Sequence, residues 1–399
     1  MDKKILIVGG GIGGMAAALA CTRSGLTVRL TERAAAFGEV GAGVQLGPNS
    51  VQVLEGWGLG KQLKAVAAFP QELCVRNAKS GAVLARMPLG KSMVEQYGSP
   101  YATIARADLH SLLLTALCRS GSARLMLDSE VTSVTQDKDS VSVQLAAPEG
   151  HSPQILKADV LVGADGLWSR VRSQILHTGG PRVTGHLAYR AMLKQSDLPV
   201  TLRSQVVTAW MGPGYHVVQY PVGAGEWLNV VAIVHGELQG DLASWDHSGN
   251  AKELRIALAG AASPLWDLLH AIPDWRLWAL CDRPPMRSAA EHAVGRVALL
   301  GDAAHPMRPY LAQGAGMALE DAAELARVLV KSGVPVDKAL RAYAARRWRR
   351  NAKVQARSIR NGHIFHLRGP FAFGRDATLR LLGKRVLDVP WLYQGPDQV

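Results

Sequence analysis

Cysteine is scarce in this sequence: Cys21, Cys74, Cys118 and Cys281 are the only four in 399 residues, and no two fall in a CxxC spacing. That pattern argues against a disulfide framework or a cysteine zinc site and predicts buried, reduced thiols. Long apolar runs are missing as well. No eighteen consecutive residues are uninterruptedly apolar, so no membrane-spanning helix is expected. The opening MDKKILIVGGGIGG runs from charge straight into glycine, with no apolar stretch and small-residue cleavage site. A secretory signal is therefore not expected, and the expected location is the cytoplasm. There is no internal repeat and no collagen-like or low-complexity bias.

Acids are in deficit, 32 against 45 Lys+Arg, for a net charge of +13. The imbalance is local: from Arg341 to Arg385 there are thirteen Lys/Arg and one acid, Asp376, leaving 32 basic and 31 acidic residues elsewhere. Such a tail suits an anionic partner or a solvated helix lying across the domain, apolar side down. No nucleic-acid-binding motif accompanies it, which favours the helix. Hydrophobic residues make up 48% of the chain, enough for a sizeable core in two domains or in one with an insertion.

The chain begins with a clear βαβ rhythm. Lys4–Val8 is a β-branched apolar run, Gly9–Gly14 a glycine turn, Met15–Ser24 an Ala-rich helix and Leu26–Thr31 a second strand. Such a unit implies an open parallel sheet. Further strand-to-helix signatures occur at Asp159–Arg172 and Arg296–Arg327. Between about 180 and 287 the texture changes to alternating runs (TGHLAYRAML, QVVTAWMG, YHVVQYPV, WLNVVAIVHG) separated by Gly-rich turns. These predict an inserted antiparallel sheet, with 71–100 adding strands to it. The expected class is α/β: a discontinuous Rossmann-like nucleotide-binding domain (1–70, 101–178, 288–335), a substrate-binding sheet domain (71–100, 179–287) and a C-terminal helical region (336–399).

Gly9, Gly11 and Gly14 form GxGxxG, and Glu32 follows eighteen residues after Gly14. The glycines allow a tight turn and close approach of backbone to a pyrophosphate, whose charge the helix N-terminus favours. A carboxylate at Glu32 suits unphosphorylated ribose hydroxyls, hence FAD or NAD over NADP.

The other two signatures decide which. Gly163-Ala-Asp165-Gly166-x-x-Ser169-x-x-Arg172 and Gly301-Asp302-Ala-Ala-His305-Pro306, together with Gly9–Gly14, resemble the single-component FAD-dependent aromatic hydroxylases. The likeness runs from about residue 3 to 345. Gly41–Asn49, Ile104–His110 and His305–Ala322 look like the branch that acts on salicylate, 3-hydroxybenzoate and 6-hydroxynicotinate. The resemblance implies tightly bound FAD, with NADH or NADPH as transient reductant. It also implies hydroxylation of a small phenolic aromatic or heteroaromatic acid by O2 through a flavin C4a-hydroperoxide. Asp302 would hold the ribityl chain, Arg106 the ribityl–pyrophosphate region, and Asp165 both FAD and the nicotinamide donor. Gly314 and Gly316 would open a helix onto the flavin ring. By the same resemblance Arg33 and Val131 would be further cofactor-binding positions.

In Tyr215–Val222 a strand puts His216, Val218 and Tyr220 on one face. By the same resemblance His216 is a base or proton relay at the substrate hydroxyl and Tyr220 its hydrogen-bonding partner. Pro309 stiffens the loop passing beside the reactive centre, and Arg308 and Gln45 are candidates for the substrate pocket. Where this chain has Pro309, 3-hydroxybenzoate hydroxylases carry Gln, which leaves the exact substrate open. No metal ligand set is expected. The expected partners are the aromatic acid, O2 and NAD(P)H, with no nucleic acid, no membrane insertion, and a monomer or homodimer. The alternatives are a hydroxylase of larger rings, a flavin oxidase, or a NAD-dependent dehydrogenase or non-catalytic regulator. With no second GxGxxG and no CxxxxC, a two-dinucleotide disulfide reductase is disfavoured.

Overall fold

The computed structural model describes residues 3–38, 42–147, 151–238, 240–242 and 247–396. Gly41, the first residue of one of the segments named above, lies outside them. Lys4–Val8, buried on both faces after its first residue, takes a central place in a six-stranded sheet. The order is Ala293–Val294, Val297–Leu299, Val160–Gly163, Lys4–Val8, Thr27–Thr31, Ala123–Met126. All pairs are parallel except at the Ala293–Val294 edge. The helix Ile12–Arg23 is buried along most of its length. Its alanines let it pack closely on both the sheet and the helix Gly314–Leu329, forming one continuous core.

The second large sheet has eight strands. Arg182–Lys194, Tyr215–Val222 and Trp227–His235 lie in its middle, and Glu72–Asn77 and Val83–Pro88 complete one edge. Glu72–Asn77 joins by a parallel pairing with Val207–Gly212, the one parallel step in this sheet. A three-stranded antiparallel sheet over 131–158 (Val131–Gln136, Val141–Leu145, Ile155–Ala158) was not anticipated.

The basic segment folds as helices, Val336–Phe365 followed by Gly369–Leu382 and Lys384–Leu387, and the buried side of the first mixes the expected apolar residues with polar ones. Arg347, Asn351, Gln355, Ser358 and Asn361 are buried along with Val336, Leu340 and Tyr343. Buried polar groups need partners, and these have them. Arg347 pairs with Glu320 at 2.8 Å and Asp321 at 2.7 Å. Gln355 donates to the carbonyl of Pro306, Ser358 to that of Arg308 and Asn361 to that of Tyr310. The helix thus grips the 305–313 loop at successive turns. Among the cysteines, none is in a disulfide; Cys21 and Cys74 are buried, whereas Cys118 is exposed. No helix among the described residues is long and apolar enough to cross a membrane.

Candidate active site

The glycine turn and the inner face of the eight-stranded sheet line opposite parts of one cavity. On the first side, Gly9 has φ +105, and a Cβ there would lie 2.4 Å from the Ala164 carbonyl oxygen. A Cβ on Gly14 would lie 1.9 Å from the Gly9 oxygen. Only glycine fits at these positions. Gly11 caps the following helix with no side-chain hydrogen bond, so the amides of its first turn are open to an anion in the cavity that Gly11, Ile12 and Gly13 line. Glu32 accepts from the Gly10 amide at 2.6 Å and from the Ala34 amide, which fixes it beside the turn.

Arg106, Asp302 and Gly314 line the same cavity. Burial raises the Asp302 pKa, while Arg106 and then His305 oppose that rise. Gly314 begins the helix Gly314–Leu329, which also lacks a side-chain cap. A glycine-lined helix N-terminus, an arginine and a carboxylate around one slot suit a dinucleotide: amides and cation for its phosphates, carboxylate for its hydroxyls.

Several sequence candidates are engaged elsewhere. Asp165 accepts from the Ser169 hydroxyl at 2.6 Å and the Val171 amide at 3.0 Å, capping the helix Arg170–Leu176. Its neighbours Ala164 and Gly166 line the cavity instead. Gly316 is a packing position, since a Cβ would meet the Ser50 hydroxyl at 2.3 Å. Val131 is buried in its own strand, with its carbonyl accepting from Arg170. Arg33 is exposed. Arg308 lines the cavity but is paired with Asp282 at 2.7 Å, and Arg182 shares that carboxylate.

The sheet side follows from strand alternation. Cross-strand pairs put His216 beside Ile233, Val218 beside Val231 and Tyr220 beside Asn229. The next strand sets His186 beside His235 and Arg190 beside Val231. Their intervening neighbours, such as Tyr189, Val217 and Val230, face a separate apolar core. One face therefore carries Arg190, His216 and Tyr220 into the cavity with Val218, Val231 and Ile233.

Tyr220 donates to the Gly43 carbonyl at 2.7 Å, and Asn229 accepts from the Gly43 amide at 2.7 Å. Together they clamp the strand Gly43–Leu46, which places Gln45 at the cavity wall. Tyr101 donates to Gln45 at 2.7 Å. Burial pushes the Tyr220 phenol well above its ordinary range, so it acts as a neutral donor.

Burial, and then His186, push His216 down to about 3. Its Nδ1 lies 2.8 Å from His366 Nε2, and His366 Nδ1 lies 3.2 Å from Nε2 of His235. Since His235 is exposed, three imidazoles run from the cavity wall to the surface.

Arg190 was missed by sequence reasoning. Its guanidinium sits 3.7 Å over the Trp278 ring, and its Nε has no hydrogen-bond partner among the described residues. Burial lowers it to about 9. The available signal was an arginine on the alternating face of TGHLAYRAML, in phase with His186 and Ala188.

Behind the loop, His305 meets Asp321 at 2.5 Å, and Asn351 bridges Asp321 and His292. Although burial alone would raise Asp321, His305 and Arg347 hold its carboxyl well below the ordinary range. This charged core braces the cavity from outside.

The comparisons agree with this geometry. The FAD binding domain family matches residues 2–358. A 3-hydroxybenzoate 6-hydroxylase of Polaromonas naphthalenivorans is 36% identical over 369 residues, covering 92% of this chain and 89% of its own. A 6-hydroxynicotinate 3-monooxygenase of Bordetella bronchiseptica is 35% identical, covering 94% and 95%. A salicylate hydroxylase solved with substrate superposes with a TM-score of 0.81 at 28% identity, covering 98% of this chain and 95% of that one. Glycine turn, cavity and relatives thus converge: the chain belongs to the single-component FAD-dependent aromatic hydroxylases, and FAD is its cofactor.

Proposed function

We propose that this monooxygenase hydroxylates a small aromatic or heteroaromatic ring bearing both a carboxylate and a hydroxyl, using NAD(P)H and O2. The observation that carries this reading is a single sheet face that offers one cavity both a cation, Arg190, with no acid partner among the described residues, and a neutral imidazole, His216. Bound FAD supplies the redox chemistry, taking electrons from the reduced nicotinamide and activating oxygen beside the ring. Gly11–Gly13, Arg106, Asp302 and Gly314 would hold it.

The residues of the chain do the rest. Arg190 binds the carboxylate, a charge-assisted pair strengthened by the shielded site. His216 and Arg190 lie two strands and two residues apart, roughly 12 Å between Cα atoms by strand geometry. Both side chains project from the same face into the cavity. His216 accepts the hydroxyl proton at its Nε2, because Nδ1 already faces His366. An imidazolium is unfavourable there, so the proton moves on: His216 gives its Nδ1 proton to His366, which passes one to His235 and water. The ring left behind is an electron-rich phenolate, the form that electrophilic hydroxylation needs. Pro309 and Ala312 close the cavity on the loop side. Their backbone is held by the long helix, which helps exclude mobile water.

The test is a panel of 3-hydroxybenzoate, salicylate, 6-hydroxynicotinate and the matching neutral phenols given to FAD-loaded protein. The reading predicts oxygen uptake and NAD(P)H oxidation with a hydroxylated product for at least one acid and none of the neutral phenols. Hydrogen peroxide as the only oxygen product across the panel overturns it.

A further inference from the structure

We propose that His186, His235 and His366 form a binding site for a divalent transition cation of the zinc class, at the outer end of the imidazole chain. The three offer ligand nitrogens that all lie within 4.8 Å of one another. Each comes from a separate, well-anchored element. His186 and His235 are direct cross-strand partners on neighbouring antiparallel strands. His366 is the C-cap of the helix Val336–Phe365. Nδ1 of His366 and Nε2 of His235 are 3.2 Å apart, close to the roughly 3.4 Å separation of two nitrogens on a tetrahedral zinc with Zn–N bonds of about 2.0–2.1 Å. The rings of His186 and His235 are 4.5 Å apart and perpendicular, and those of His186 and His366 are 5.0 Å apart.

The donor set is all imidazole, which selects zinc, nickel or copper over magnesium or calcium. His235 is exposed while the other two are buried, so the site has an entry and leaves a coordination position open to water. Electrostatics pull both ways. Arg308 and His363 act on His186, and Arg368 on His235, against a cation; Asp282 acts in its favour. The negative end of a thirty-residue helix lies beside His366 and favours it too. The hydroxyl of Tyr310 meets His186 Nδ1 at 2.6 Å, fixing that ring as second-layer partners of metal ligands commonly do.

One consequence rests on the proposed function. A metal held by His366 Nδ1 leaves that ring's proton on Nε2, which then donates to His216 Nδ1. His216 must in turn present an N–H to the cavity, where it can no longer accept the substrate proton. Zinc at this site would act as a brake on hydroxylation.

The test is calorimetric titration of Zn2+ into the FAD-loaded full chain, with His235→Ala and His235→Gln as variants, since this exposed residue lies outside the cavity lining. One zinc is expected per wild-type chain, with affinity at least about 100-fold lower in both variants and FAD content and melting temperature unchanged. Co2+ should give ligand-field bands beyond the flavin absorbance in the wild type alone. Equal zinc affinity in wild type and both variants overturns the site, as does no binding up to about 1 mM. Binding that occurs without inhibition keeps the site and instead counts against the assigned role of His216, so the two failures are distinguishable.

Discussion

Replacing Arg190 by methionine separates its proposed role from a structural one, because the two predict opposite signs. A half-buried guanidinium with no acid partner among the described residues and a pKa lowered to about 9 is a cost to the fold. The Trp278 face at 3.7 Å compensates in part, worth about 0.5–2 kcal/mol. Exchanging a half-buried guanidinium for an apolar side chain of similar length removes that desolvation cost. The net is zero to modestly stabilising, a shift of about 2 °C upward at most per kcal/mol in a chain this long. Binding should move the other way. Removing one partner of a shielded charge pair costs about 2–5 kcal/mol, and since Arg190 is only half-buried the lower half applies: an affinity loss of about 30- to 300-fold for the aromatic acid. A neutral analogue such as 3-hydroxybenzyl alcohol should lose nothing. The assay is titration of both ligands into FAD-loaded wild type and Arg190→Met, with melting temperature and FAD content measured on the same samples. Equal weakening of acid and alcohol, a clear fall in melting temperature, or release of FAD would each refute the assignment.

Three further outcomes follow from the same geometry. Gly14→Ala places a methyl 1.9 Å from the Gly9 oxygen, so flavin absorbance of the purified protein should fall to a small fraction of wild type, and full retention of FAD would contradict the cradle. Gln355→Leu removes the partner of both the Pro306 carbonyl and the Met286 amide, and each orphaned buried group costs about 1–3 kcal/mol; melting temperature should drop, with a larger share of oxygen appearing as peroxide, whereas unchanged coupling would show that the helix does not tune the loop. Acid should unfold the protein early. Burial lowers His186 to about 4 and His216 and His292 to about 3, so their contribution is whole above the unfolded value near 6.5 and is lost as pH falls toward those lower values. Each contributes a slope of up to about 1.4 kcal/mol per pH unit, less where they repel one another. A circular-dichroism titration should show unfolding between about pH 6 and 4, and a flat signal to pH 4 would show that these rings are not held neutral.

Local chemistry was readable in the sequence. The glycine turn, its flanking strand and helix, and the shared face of His216, Val218 and Tyr220 all depend on spacings of a few residues, and the fold keeps them. What stayed hidden depends on partners distant in sequence. Arg308 was a candidate for the carboxylate until Asp282, twenty-six residues away, claimed it. Arg190 is notable for having no acid partner among the described residues, and no local pattern displays that. The buried side of Val336–Phe365 looks like a solvated polar stripe by composition. It is buried because the 305–313 loop and the Glu320–Asp321 pair present carbonyls and carboxylates that those polar groups satisfy. Asp165 showed the reverse: its motif placed it on the cofactor, while its carboxylate serves the helix that follows.

The most direct measurement is a crystal structure of the FAD-loaded protein with 3-hydroxybenzoate bound near pH 7. The account predicts the carboxylate within about 3 Å of the Arg190 guanidinium and the ring hydroxyl within about 3 Å of His216 Nε2, with the His216–His366–His235 chain intact. A carboxylate resting on Arg308, or a hydroxyl facing away from His216, would contradict it.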